Sequence, residues 1–341
     1  MMKKTLVAMA VVAASGASFA QVAITGNVSY AWSGGQDALG NQSNGIGVDT
    51  ATIDFGVKED LGGGMAVEAH EGFDTFDRGG VVGGDTTLTL TTSAFALKMG
   101  STQLGDYMQG TGNVSGTFNT FEGRILGAKP NKDWAGIAVP VGPVTLSVTE
   151  YEAASGLGLG IGSGGAASTT GSRNTQYQIA YSGGGLNADA AYKSYDNTNL
   201  SSATTATSYK TIVRAGANYD FGVAKVGAAI QSNALVIAGT DNATVVSVGA
   251  PVGKMFFGAQ YLNRTVSGSG GPGVSGTVAS ADYNQNGYGL EADYNFSKTT
   301  KLAVNYMNWQ QTTAAGGVAY GSSALANQNS NLTEIALSKS F

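Results

Sequence analysis

Apolar and polar side chains alternate along most of the chain after residue 20, and this alternation is its strongest structural signal. A period of two is typical of β-strands, whose successive side chains point to opposite faces, and sustained helical periodicity is hard to find. The pattern predicts an all-β protein whose strands have one apolar and one polar face. Four such segments, with their apolar sets, are residues 22–32 (Val22, Ile24, Val28, Tyr30, Trp32), 51–58 (Ala51, Ile53, Phe55, Val57), 288–296 (Tyr288, Leu290, Ala292, Tyr294, Phe296) and 333–341 (Ile335, Leu337, Phe341).

Short turns and longer polar loops alternate between the predicted strands. Seven short turns and eight loops join 16 strands and place both chain ends on the short-turn side. The short turns are predicted at residues 60–64, 93–94, 141–143, 182–185, 221–222, 252–253 and 297–299. The loops are predicted near residues 34–46, 77–85, 102–131, 154–173, 196–207, 235–242, 267–284 and 312–330.

This arrangement favours a membrane barrel over a soluble fold. A soluble β-sandwich would bury the apolar face of each strand in a core. Alternating strands of about ten residues with short turns at one end, long loops at the other and aromatic flanks are instead typical of a transmembrane β-barrel. Only a closed barrel pairs every strand's backbone groups in lipid, where water is absent. The apolar faces are therefore expected to contact lipid or a neighbouring subunit.

The first 20 residues have the pattern of a cleaved signal peptide. Lys3 and Lys4 form a basic start, residues 6–14 are an apolar run, and residues 18–20 supply small side chains at the cleavage positions. Nine apolar residues are too few to span a bilayer, which needs about 20. We expect cleavage before Gln21, which leaves residues 21–341 as a single domain.

Composition and charge argue against nucleic-acid binding and against stabilisation by disulfides. The chain has 52 Gly, 5 Pro and no Cys, and 12% of its residues are charged. Loss of Lys3 and Lys4 with the leader leaves 16 basic against 23 acidic residues, a net charge of −7. An acidic chain is a poor partner for nucleic acid, and without cysteine there are no disulfides to stabilise an exported protein.

Candidate catalytic and metal-binding residues are few. His70 is the only histidine, and alternation places it on the polar face with Glu68. One histidine without a nucleophile motif is weak support for a catalytic triad, so we expect no enzyme activity and no cofactor. The stretch "DYNQNGYGLEAD" approaches the spacing of a calcium-binding loop, but it ends in Asp293 and a strand follows, which favours an ordinary polar loop without metal.

The mature chain resembles a general porin of the Gram-negative outer membrane, of the betaproteobacterial type. The resemblance is carried by the leader, the first strand "VAITGNVSYAW", the hairpin "IDFGVKEDLGGGMAVEAHEGF", the long third loop and the terminal strand that ends in Phe341. It implies a homotrimer of 16-stranded barrels, each a water-filled pore. It also implies that Phe341 is the signal read by the barrel assembly machinery, and that outer-membrane lipids surround the protein.

The resemblance further implies a constriction formed by the third loop, "TQLGDYMQGTGNVSGTFNTFEGRILGAKPN", folded into the pore. Asp106 and Glu122 would be its acids and Arg124 a base among them, opposed by Lys58 and Lys98 on the wall. Alternation places the following further side chains towards the lumen: Asp54, Glu68, His70, Lys210, Arg214, Lys225, Glu291 and Asp293.

The predicted function is passive diffusion of ions and small hydrophilic solutes, with a mild preference for cations because acids outnumber bases. Three alternatives remain open from the sequence. The barrel could be a substrate-specific channel, the chain could be a secreted β-rich adhesin, or it could be a barrel enzyme using His70.

Overall fold

The computed structural model describes residues 21–74, 82–103, 111–116, 120–126, 131–153, 173–195, 209–235, 239–268, 283–310 and 329–341. The predicted signal peptide, residues 1–20, therefore lies outside the described residues. Sixteen strands and one short helix, α1 (Thr120–Leu126), make up these segments. The strands are β1 (Gln21–Gln36), β2 (Gln42–Gly62), β3 (Met65–Asp74), β4 (Val82–Thr91), β5 (Ala96–Gln103), β6 (Asn131–Val141), β7 (Val144–Ala153), β8 (Asn174–Gly183), β9 (Leu186–Tyr195), β10 (Tyr209–Asp220), β11 (Lys225–Leu235), β12 (Gly239–Val252), β13 (Met255–Gly268), β14 (Tyr283–Ser297), β15 (Thr300–Gln310) and β16 (Asn329–Ser340).

Each strand pairs with its neighbours in sequence, and β1 pairs with β16, so the sheet closes into one antiparallel barrel. This confirms the predicted fold and strand number, and a single closed sheet excludes the β-sandwich. In the described part of the chain, no helix has the length and apolar character needed to cross a membrane.

All seven short turns lie where the sequence predicted them. The turn between β10 and β11 shows how the local sequence forms one. The amide of Gly222 donates to Oδ1 of Asp220 (2.8 Å), and Gly222 has a φ of 82°, in the left-handed region that favours glycine. The carboxylate at the strand end and the glycine two residues later together reverse the chain.

Two of the predicted long loops are much shorter in the structure. Residues 34–46 were predicted as a loop, but the β1–β2 ladder continues to the pair Gln36–Gln42. The carboxylate of Asp37 forms the turn by accepting hydrogen bonds from the amides of Leu39 and Asn41. The side-chain hydrogen bond from Asn41 also holds the pKa of Asp37 below its usual value. Likewise, three residues separate β11 from β12, because strands built from polar residues extend further than their composition suggests.

Cross-strand pairs show that the apolar side chains share the outer face. Val28, Tyr30 and Trp32 lie opposite Lys339, Leu337 and Ile335, and large apolar residues on this face are exposed around the barrel. Aromatic pairs lie near both ends of the outer face: Tyr219 with Phe221 and Tyr294 with Phe296 near the short turns, and Tyr288 with Tyr306 towards the loops. Two aromatic belts around an apolar band are the expected outer surface of a membrane barrel.

The C-terminal residue joins the barrel seam. The amide of Phe341 donates to the carbonyl oxygen of Gly26, and the amide of Gly26 donates to the carbonyl oxygen of Phe341, both at 3.1 Å. The Phe341 ring covers Gly26 so closely that a Cβ there would overlap it. Phe341 is thus part of the β1–β16 ladder and presents its ring on the outer face.

Candidate functional site

The third loop, between β5 and β6, lies inside the barrel in the part that the structure describes. Residues 111–116 rest on a row of inner-face glycines contributed by four consecutive strands, β10 to β13. A Cβ on Gly227 would be 2.8 Å from the carbonyl oxygen of Gly112, and one on Gly216 would be 3.3 Å from its amide nitrogen. A Cβ on Gly249 or Gly258 would overlap the loop backbone outright. Glycine is required here because the loop backbone touches the wall backbone.

Hydrogen bonds fix this segment to the wall. The amide of Val114 donates to Oγ of Ser247 (2.9 Å), and that hydroxyl donates to the carbonyl oxygen of Gly112 (3.0 Å). Nδ2 of Asn218 donates to the carbonyl oxygen of Thr111 (2.7 Å). The backbone of residues 111–114 is therefore held by polar side chains of β10 and β12.

Helix α1 packs onto an apolar patch of the inner wall. Phe121 and Ile125 are buried against wall residues of β11, β12, β13 and β15. This patch breaks the alternation, because the inner face beneath the helix is apolar as well. The wall residues are Ala229, Ala243, Val245, Leu262, Met307 and Trp309. Sequence analysis missed the patch, and its signal was adjacent apolar residues within a strand, such as Val245 with Val246.

A buried ion pair ties the end of α1 to the wall. Nε and Nη2 of Arg264 donate to the two carboxylate oxygens of Asp241, each at 2.8 Å. The remaining nitrogen, Nη1, donates to the carbonyl oxygen of Ile125 (2.7 Å), and the hydroxyl of Tyr209 donates to Oδ2 of Asp241 (3.1 Å). Helices leave their last carbonyl groups without intrahelical partners, so Arg264 caps this one from the wall. No sequence motif indicated this pair.

The two charged residues of α1 point in different directions. Glu122 is fully buried, and its Oε1 accepts a hydrogen bond from Nδ2 of Asn113 (2.7 Å), which also donates to Gln260 (2.8 Å). Arg124 is exposed, and its guanidinium lies 5.5 Å from the centre of the Trp309 ring. The sequence expectation that Glu122 faces the channel is therefore corrected: one turn of helix directs it to the wall and Arg124 to the lumen. Asp106 lies outside the described residues.

Comparison with protein families decides the class of this barrel. Residues 5–314 match the Gram-negative porin family. The chain belongs to that family. It is an outer-membrane porin, and its interior is a channel. A search of curated proteins returned no match.

Solved structures share the fold of this porin at low sequence identity. OmpT of Vibrio cholerae, an outer membrane protein in a trimer form, matches with a TM-score of 0.64 and 14% identity over 94% of this chain and 99% of that one. A triple mutant of the Rhodopseudomonas blastica porin matches with a TM-score of 0.59 and 12% identity over 94% and 100%. At these identities the likeness concerns the fold alone.

Most of the predicted wall residues of the porin lie on the inner face. Lys58 of β2 is opposite Glu68 of β3, and Nε2 of His70 lies 3.6 Å from Oδ1 of Asp54. Lys98 lies on the inner face of β5, two residues after the strand begins and close to a short turn. Lys58 also lies towards the short-turn end, so the role of both lysines at a constriction stays a prediction.

Among the predicted lumen residues of β10 and β11, only Lys210 departs from the simple alternation. Lys210 occupies a bulge between Tyr209 and Thr211, so alternation does not set its direction. Nη2 of Arg214 is 3.9 Å from a carboxylate oxygen of Asp189 on the inner face. Lys225 pairs with Asp220 at the β10–β11 turn, with a distance of 3.2 Å between Nζ and Oδ2.

Glu291 and Asp293 are on the inner face of β14, but both are buried, Glu291 beneath the third loop. They are 5% and 6% exposed, and a Cβ on Gly116 would approach the Glu291 carboxylate at 3.3 Å. Nζ of Lys301 lies 2.8 Å from Oδ2 of Asp293 and 3.9 Å from Oε1 of Glu291. The prediction that they line the open lumen is therefore corrected: Glu291 lies beneath the loop, and Asp293 is buried beside Lys301.

The suspected calcium-binding stretch forms a strand where it is described. Asn286 lies opposite Asn263 on the outer face, and Asp293 lies on the inner face. Residues on opposite faces of one strand do not surround one ion, and no group of metal-ligating side chains occurs among the residues that the structure describes. Asp282 lies outside those residues.

The inner wall carries charges of both signs, and some of them adjoin, as Lys58 does Glu68 and Arg214 does Asp189. Glu334 of β16 interacts electrostatically with Asp49, which sits in a bulge of β2, and Asp74 of β3 interacts with Asp54 of β2. We call these four residues the acidic arc. Basic side chains occupy the inner face further round the barrel: Lys98 on β5, Lys132 on β6, Lys193 on β9 and Arg214 on β10. We call these the basic arc.

Proposed function

We propose that this porin conducts ions and small hydrophilic solutes by passive diffusion, with a mild preference for cations. The observation that carries the proposal is the position of the third loop. Its described residues rest on β10–β15 and leave the polar inner faces of β16 and β1–β9 facing the lumen. A polar wall around water lets a hydrated solute pass without a dedicated binding step.

The cation preference is supported by the charge balance. The mature chain carries a net charge of −7, and the acidic and basic arcs contribute four acids and four bases to the inner wall, so the local excess is small. Low-dielectric walls focus the field of fixed charges on a permeating ion, so a small local excess decides the preference. The preference should weaken at high salt, because the Debye length falls from about 10 Å at 0.1 M to about 3 Å at 1 M.

The proposed constriction lies beside α1. Arg124 reaches the lumen from the loop, Glu334 faces it from the inner face of β16 with Asp49 close by, and Asp106 remains a predicted loop contributor. Lys58 and Lys98 are proposed to line the path nearer the short turns. The proposed partners are two further copies of the chain in a homotrimer, the lipids of the outer membrane, and the barrel assembly machinery that reads Phe341. The leader at residues 1–20 is proposed to direct export.

Planar-bilayer conductance of the purified mature protein tests the proposal. We expect stepwise insertion of open channels with a linear current–voltage relation and a small reversal potential of cationic sign in a salt gradient. Protein that inserts without conducting would contradict the channel itself. Saturable block of the current by one class of solute would instead favour the alternative, a substrate-specific channel.

A further inference from the structure

Three buried side chains on the inner face of β14 and β15 have oxygen atoms without a hydrogen-bond partner among the residues that the structure describes. The atoms are Oε2 of Glu291, Oδ1 of Asp293 and Oδ1 of Asn305, and Nδ2 of Asn305 has no partner there either. Asn305 is fully buried. Folded proteins rarely leave such atoms unpaired, because each costs free energy, so three together point to a bound water, proton or ion.

The strand register brings these three side chains together. Asn305 of β15 is the direct cross-strand neighbour of Glu291, and Asp293 lies two residues further along β14 on the same face. Directly opposite residues in a sheet have Cβ atoms about 4.5–5.5 Å apart. The carboxylates of Glu291 and Asp293 also interact with each other electrostatically. The three oxygen atoms therefore border one small volume of the wall.

The neighbouring lysine balances only one of the two carboxylates. Nζ of Lys301 lies 2.8 Å from Oδ2 of Asp293 and 3.9 Å from Oε1 of Glu291. When both acids are ionised, one negative charge remains without a partner. An unpaired charge away from water is costly, whereas a single monovalent cation makes the group neutral.

The chemistry of the three atoms favours a monovalent cation over water or a divalent metal. All three are hydrogen-bond acceptors, and one water molecule cannot donate to all of them. Carboxylate and amide oxygens are both ligands of hard cations. In the described part of the chain, no three Asp, Glu, His or Cys side chains form a group that could hold a metal. A divalent ion would also leave a positive charge behind.

The third loop closes over this group of side chains. The carbonyl oxygen of Ser115 leaves no space for a Cβ on Gly258, which is opposite Glu291 in the β13–β14 ladder. A Cβ on Gly116 would approach the Glu291 carboxylate at 3.3 Å. An ion held by Glu291 would therefore lie where the loop backbone meets the wall, apart from the solutes in the open lumen.

We propose that a small monovalent cation, sodium, binds between Glu291, Asp293 and Asn305 and stabilises the contact of the third loop with the wall. The ion neutralises the remaining buried charge and coordinates three oxygen atoms that have no other partner in the described structure. Its role is structural, so it does not depend on which solutes the channel conducts.

Urea unfolding of the mature protein, refolded in detergent micelles, tests the proposal. Sodium chloride is exchanged stepwise for the chloride of a bulky organic cation, N-methyl-D-glucamine, at fixed pH and ionic strength. The unfolding midpoint should rise with sodium and then saturate, because an ion that binds only the folded state stabilises it by mass action. Sodium at about ten times its dissociation constant should raise the ratio of folded to unfolded protein by about tenfold.

Two substitutions of Asn305 have opposite expected effects. Asn305→Leu is similar in size and removes one ligand oxygen, so it should abolish the sodium dependence. Asn305→Asp adds a carboxylate, so saturation should occur at a lower sodium concentration. Asn308→Leu is the matched control, because Asn308 lies on the outer face of the same strand, opposite Tyr288, and it should keep the wild-type sodium dependence. If Asn305→Leu does not fold, an unchanged dependence in Asn305→Asp is enough to overturn the proposal.

The remaining outcomes separate sodium from the other candidates. A wild-type midpoint that depends on pH but not on sodium would mean that the carboxylates share a proton, and it would overturn the proposal. Equal loss of the sodium dependence in Asn308→Leu would place the ion elsewhere. Crystals soaked in thallium(I), a heavy monovalent cation, should show an anomalous peak among the three side chains. Density for water alone at that point would overturn the proposal. None of these readouts uses conductance, so they are independent of the test of the proposed function.

Discussion

Gly258 of β13 faces the carbonyl oxygen of Ser115 with no space for a side chain between the wall and the third loop. Gly258→Ala should therefore push the loop towards the channel axis at a strain of about 1–3 kcal/mol, because the added methyl overlaps the loop backbone. We expect lower single-channel conductance from a barrel that still folds.

Gly56→Ala is the matched control for that substitution. Gly56 lies within a strand on the same inner face, and a Cβ there would meet only the Cβ of Ala23 at 4.0 Å. Its conductance should equal that of the wild type. If Gly258→Ala also conducts like the wild type, the loop does not rest on the glycine row as described.

The buried pair Asp241–Arg264 should dominate the attachment of α1. Arg264→Gln removes the bidentate partner of the Asp241 carboxylate, which is 2% exposed. Leaving a buried charge without its partner typically lowers the free energy of unfolding by about 3–5 kcal/mol. Denaturant unfolding of the refolded protein, followed by tryptophan fluorescence, should show this loss. The double variant Asp241→Asn with Arg264→Gln should recover part of the stability, because no buried charge remains.

An exposed pair provides the comparison for this measurement. Lys225 and Asp220 are separated by 3.2 Å, but Lys225 is half-exposed at a turn. Lys225→Gln should leave the unfolding curve nearly unchanged, since ions in water are screened. Equal losses for Arg264→Gln and Lys225→Gln would show that the Asp241–Arg264 pair does not attach the helix.

Alternation predicted the barrel because successive side chains of each strand face lipid and water in turn. The sets at 22–32, 51–58 and 288–296 have the predicted faces, and all seven short turns are in place. This information is local, so it can be read along the chain. It fails at Lys210, where a bulge adds one residue and removes the regular alternation.

The interior contacts of the third loop were not predictable in this way. Asn113 and Gln260 are 147 residues apart, and Arg264 and Ile125 are 139 apart. Their pairing depends on which strands lie beneath the loop. The direction of Glu122 depends on the short helix, which no periodicity in the loop indicated. The apolar patch under α1 also violates the polar-inside rule on which the sequence analysis relied.

The outer face of β14 can be tested with Leu290, which is 45% exposed. Leu290→Arg should cost about 2–4 kcal/mol if the site lies near the bilayer midplane, because the charge would enter hydrocarbon. Folding into lipid vesicles at increasing urea concentration measures this cost. Thr89→Arg, on the inner face of β4 opposite Lys98, is the control and should cost much less. Similar costs at both positions would mean that the assignment of the faces is wrong.

Phe341 contributes two features to the barrel seam, a backbone pair with Gly26 and an aromatic ring on the outer face, and two variants distinguish them. Deletion of Phe341 removes both the backbone pair with Gly26 and the aromatic ring, whereas Phe341→Ala keeps the pair and removes only the ring. If the ring is the assembly signal and an interfacial anchor, both variants should be exported normally and both should reach the outer membrane in reduced amounts. Fractionation with an immunoblot for folded, heat-modifiable protein measures these amounts. If Phe341→Ala assembles like the wild type while the deletion does not, the backbone pair alone closes the seam. Normal assembly of both variants would contradict any role for Phe341 in assembly.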